Sequence, residues 1–74
     1  MAEDKKLRFK RLAEARTEKA LNMIDLIGNL SNKSFYSYTD EEVDAIFNEI
    51  ERVAEENRQR FKKSSSKKGR KFIL

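Results

Sequence analysis

Eight lysines and arginines stand among the last seventeen residues, and no carboxylate separates them: Arg58, Arg60, Lys62, Lys63, Lys67, Lys68, Arg70 and Lys71. A second run, Lys5, Lys6, Arg8, Lys10 and Arg11, opens the chain. Such side chains neutralise phosphate and release its counterions, which gives strong, salt-sensitive and largely sequence-independent affinity for a nucleic-acid backbone. The same charge would also draw an acidic protein face, or serve only as a solubilising terminus. Between the two runs, Thr39 to Asn57 holds eight acidic residues against the single Arg52. This separation of charge points to binding.

Covalent catalysis and metal chemistry have few of the residues they need. Histidine and cysteine are both absent, which removes the commonest general base, the thiolate nucleophile and the usual zinc ligands. The carboxylates Asp40, Glu41, Glu42, Asp44, Glu49, Glu51, Glu55 and Glu56 mostly fall at positions expected to face water, where no pocket shifts their acidity. The expectation is a non-enzymatic protein that needs no cofactor. A calcium-loop pattern is also missing.

Aromatic and apolar residues suggest protein contacts. Phe35 and Tyr36 lie in a polar stretch, where they could close the open end of a helical core or anchor a partner. Phe47 and Phe61 belong to an apolar stripe richer than one helical seam can bury, and Leu12, Leu21 and Leu26 flank its counterpart. Phe72, Ile73 and Leu74 end the chain on an apolar note that a purely electrostatic tail does not require. A homodimer or docking on a larger protein would cover the excess. Phe35, Tyr36, Phe47, Phe61, Phe72, Ile73 and Leu74 are therefore the candidate protein interface.

The elements that must carry these groups are helical. Phe9, Ala13, Thr17, Ala20, Ile24 and Ile27 recur at steps of three and four, predicting a helix over about residues 4–28. Gly28 and Asn29 follow, and both tolerate the left-handed conformation that commonly ends helices, although the helix could run on to Leu30 before stopping. Thr39 followed by Glu42 has capping-box spacing, and Tyr38 with Val43 matches a hydrophobic staple, so a second helix is expected over about 40–62. Its apolar positions are Val43, Ile46, Phe47, Ile50, Val53, Ala54 and Phe61.

With 74 residues the chain can form one small domain with a thin core. The fold class expected is all-α: an antiparallel helical hairpin over residues 1–63, with an aromatic loop at about 30–38 and a flexible basic tail at 64–74. An antiparallel arrangement would bring the basic start of the first helix beside the basic end of the second. No stretch has the roughly 18 apolar residues of a membrane span, and no secretory signal is visible at the start. A cytoplasmic setting is expected.

The stretch Leu26-Ile27-Gly28-Asn29-Leu30-Ser31-Asn32-Lys33-Ser34, with Tyr36, Tyr38, Thr39 and the acidic cap behind it, resembles small uncharacterised helical proteins encoded on conjugative plasmids and transposons of Gram-positive bacteria. The similarity covers about Arg8 to Lys63. It implies a mobile-element setting, in which small basic accessory proteins assist DNA processing and small acidic or bipolar ones inhibit host defences. It carries no catalytic or binding residue with it. The function expected is an accessory role in a nucleic-acid-processing or ribonucleoprotein assembly, through the basic end and tail. The alternatives are a protein-binding inhibitor or adaptor, for example against a host defence nuclease, and a ribosome-associated accessory protein.

Overall fold

A computed structural model describes residues 4–69 of the backbone and the side chains of residues 4–63. The described residues are all-helical: α1 spans Lys5–Gly28, a 3-10 turn spans Asn29–Ser31, and α2 spans Asp40–Gly69. The halves Met1–Ser37 and Tyr38–Leu74 form two separate compact units.

In the first half, α1 is built largely from strong helix formers, with Ala, Leu, Lys, Arg and Glu making up most of its length. Asp4 caps it, its carboxylate accepting from the Lys6 amide at 3.2 Å. Leu12, Ala13, Ile24 and Ile27 are half-buried, whereas Leu7, Phe9, Leu21, Met23 and Leu26 are exposed.

α1 ends at Gly28, where the sequence places its end, but without a left-handed stop. Gly28 is right-handed (φ −61°, ψ −28°), as is Asn29 (φ −65°, ψ −16°), and no described residue has a positive φ. The helix tightens into the 3-10 turn instead of stopping through a left-handed residue, a common way to satisfy the last carbonyls. The chain leaves the helical region at Asn32 (φ −72°, ψ 102°). Its side-chain oxygen accepts from the Ser34 amide at 2.9 Å, and its carbonyl accepts from the amides of Phe35 and Tyr36, both at 3.0 Å. Asn32 thus supplies the turn chemistry that takes the chain out of the helical run.

The second half opens as the spacing predicts. The Thr39 hydroxyl accepts from the Glu42 amide at 3.1 Å, and the Glu42 carboxylate accepts from the Thr39 amide at 2.9 Å, so two otherwise orphaned donors are satisfied reciprocally. Asp40, Glu41 and Glu42 complete an acidic first turn that complements the helix dipole. Tyr38 and Val43, the two staple positions, are half-buried. Phe47 and Ile50 continue that half-buried line at steps of four and three, while Ile46, Val53, Ala54 and Phe61 are exposed.

α2 runs on to Gly69, past the end expected near residue 62. Residues 64–69 of the expected tail are therefore helical, a state to which serine and lysine offer little resistance once a helix is already propagating. Among the residues whose side chains are described, none is fully buried. Caps and local pairs consequently carry a large share of the order within each half.

Candidate nucleic-acid interface

The cations of α1 are concentrated in its first two turns, and this placement is unusual. Lys5, Lys6, Arg8, Lys10 and Arg11 are all exposed, and the first turn holds no acidic residue. The N-terminal end of a helix carries partial positive charge, so lysines and arginines there oppose the dipole. Successive residues turn by about 100°, which spreads these five around the circumference and leaves the exposed Leu7 and Phe9 between them. The result is a basic collar. Lys10 and Arg11 also line a shallow, open depression with Leu7, Glu14, Ala15 and Glu18.

The second basic cluster belongs to α2. Arg58, Arg60, Lys62 and Lys63 are exposed. Arg58 reaches Glu55 at 3.7 Å, one turn earlier, and Arg60 donates to the Asn57 side chain at 2.9 Å. Both pairs have the spacing that stabilises helices, with the acceptor on the N-terminal side. Lys67 and Lys68 follow in the same helix by chain position, and their side chains lie outside the described set. Arg70, Lys71, Phe72, Ile73 and Leu74 lie outside the described residues altogether.

The acidic segment between Thr39 and Asn57 is organised around its one cation. Arg52 donates two hydrogen bonds to Glu49 and a third, at 2.6 Å, to Glu56. The guanidinium holds the Glu49 carboxyl below the usual carboxylate range, first by hydrogen bonding and then by its charge. The same two effects from Glu49 raise the pKa of Arg52, with the charge of Glu56 adding to them. Arg52 was legible only as a lone charge in the sequence, although its i−3 and i+4 glutamates supply the signal that places it in a clamp.

Of the aromatic candidates, Phe35 is the most exposed, at 77%, with Tyr36 at 48%. Their rings are tilted by 58° with centroids 6.4 Å apart, an edge-to-face style of contact. Phe35 therefore covers little of any core. Phe61 is 65% exposed, whereas Phe47 belongs to the half-buried line and presents less surface than expected of an interface residue.

Among the described residues, no group of acidic residues could hold a metal ion, and no helix is long and apolar enough to cross a membrane. No protein-family model matches this chain, and neither a curated protein nor a solved structure shows significant similarity to it.

Proposed function

We propose that this is a small non-enzymatic accessory protein that binds the phosphate backbone of nucleic acid, within a nucleic-acid-processing or ribonucleoprotein assembly. The mobile-element setting implied by the sequence resemblance belongs to the same proposal. The observation that carries it is the exposed collar Lys5, Lys6, Arg8, Lys10 and Arg11 at the start of α1. The helix dipole does not account for Lys5, Lys6 and Arg8, which oppose it in the first turn. A polyanionic ligand does. Cations set around a helix suit contacts to phosphate, which position a protein on nucleic acid without carrying sequence information.

The test is binding of the full chain to generic duplex DNA and to single-stranded RNA across a salt series. Affinity should fall steeply with salt, with a log–log slope near −0.9 per phosphate neutralised on duplex DNA. Changing Lys5, Lys6, Arg8, Lys10 and Arg11 together to Gln should weaken binding by more than about tenfold and make that slope shallower. Unchanged affinity, or no binding by the parent chain at low salt, would reject the proposal.

A second reading, a protein-binding adaptor or inhibitor, is favoured by Phe35. A largely exposed phenylalanine on a turn held by three hydrogen bonds to Asn32 is a preorganised anchor for a partner pocket. Phe35→Ala would then abolish partner binding while leaving the salt-dependent nucleic-acid affinity in place.

A further inference from the structure

Ile46 and Val53 lie seven residues apart on α2, and both are exposed, at 41% and 43%. They form the outer edge of the apolar stripe, beside the half-buried Val43, Phe47 and Ile50. Glu42, Glu49 and Glu56 recur at the same interval of seven. On a helix such rows run nearly parallel, and counting about 100° per residue sets each glutamate roughly 40–60° around the surface from the Ile46 and Val53 row. An exposed β-branched row is thus flanked by a glutamate row along about four turns.

We infer that this edge of α2 is a docking surface for an amphipathic helix of another protein, one whose apolar seam is flanked by lysine or arginine. Charge complementarity decides the occupant. In coiled-coil packing the residues that flank the seam meet those of the incoming helix, so a row of glutamates favours a cationic flank and rejects an acidic one. An antiparallel second copy of α2 would set glutamate against glutamate and is disfavoured for that reason. Arg52 does not cancel the row. It pairs with Glu49 and Glu56 from the side of the helix away from Ile46 and Val53, one cation against two carboxylates, and Glu42 lies outside that clamp.

Asn57 gives the edge a boundary. It continues the interval of seven from Val43 and Ile50, and its side chain is already engaged, donating to the Val53 carbonyl at 2.9 Å and accepting from Arg60. A polar residue at a seam position fixes register in helical pairing. The surface therefore extends from Glu42 to Asn57. It is independent of the basic collar, and either can fail without the other.

The test uses the full chain and two labelled heptad-repeat peptides with the same leucine seam, one flanked by lysines and one by glutamates. The lysine-flanked peptide should bind at least about tenfold more tightly, a difference of about 1.4 kcal/mol. Ile46→Ser with Val53→Ser should abolish that binding, with unchanged helicity as the control. A triple reversal, Glu49→Lys, Arg52→Glu and Glu56→Lys, keeps the intrahelical pairs with opposite sign and should transfer the preference to the glutamate-flanked peptide. Equal binding of both peptides, binding of neither, a preference unmoved by the reversal, or sedimentation showing that a second copy occupies the edge would each overturn the inference.

Discussion

The basic start of α1 and the charged length of α2 use the same residue types in opposite relation to the helix that carries them. In α2 the acidic residues occupy the N-terminal turns and the cations the C-terminal ones, with Glu55 preceding Arg58 and Glu49 preceding Arg52. Each placement stabilises the helix through its dipole or through pairs one turn apart. In α1 the order is reversed at the start, where a single aspartate cap is followed by a run of cations. Charge that helps its own helix is explained by folding. Charge that opposes it calls for a ligand.

The two helix starts should differ most in what their caps contribute. Thr39→Ala should cost about 1 kcal/mol, because it removes the hydroxyl half of a reciprocal pair, whereas Asp4→Ala, which gives up one hydrogen bond, should cost less. Thermal melts followed by circular dichroism would rank them. An equal or reversed order would mean that the two helix starts are not governed by their caps.

Dipole effects are smaller and differ in sign. Lys6→Glu should stabilise the chain by about 0.5 kcal/mol, since it replaces an opposed charge in the first turn of α1, and the same substitution should weaken nucleic-acid binding. Stability and binding should move in opposite directions. If Lys6→Glu destabilised the fold, the collar would have a structural role and the phosphate reading would lose its main support.

The smallest effect is the pH dependence of the Arg52 clamp. The folded-state pKa of Glu49 is lowered by Arg52, so its contribution is fully present above the ordinary glutamate pKa and is lost as pH falls through the depressed value. Helicity should therefore decline slightly on acidification below about pH 4.3, and Arg52→Gln should remove that step. Both groups are exposed, so the change should be reduced further by salt.

The second helix start was legible because its code is local. Thr39 and Glu42 are three residues apart, and once the chain turns there, both hydrogen bonds follow from side-chain reach alone. The start of α1 and the apolar period of both helices were legible for the same reason. The conformation in which α1 ends was not. Gly28 permits a left-handed stop, but permission is not preference, and open space around its Cβ position shows that neither packing nor backbone conformation demands glycine there.

Charge segregation, the absence of histidine and cysteine, and the reciprocal cap were determined by the sequence itself, since they depend on residue type and on neighbours within one turn. The three-dimensional structure decided which apolar positions are half-buried and which face water: Phe47 and Ile50 fall on one side of that line, Ile46, Val53 and Phe61 on the other. It also decided that Asn32 ends the helical run and that α2 continues to Gly69. A 3.6-residue period marks a stripe about 100° wide without saying how much of each position is covered, because that depends on how the neighbouring side chains lie against it.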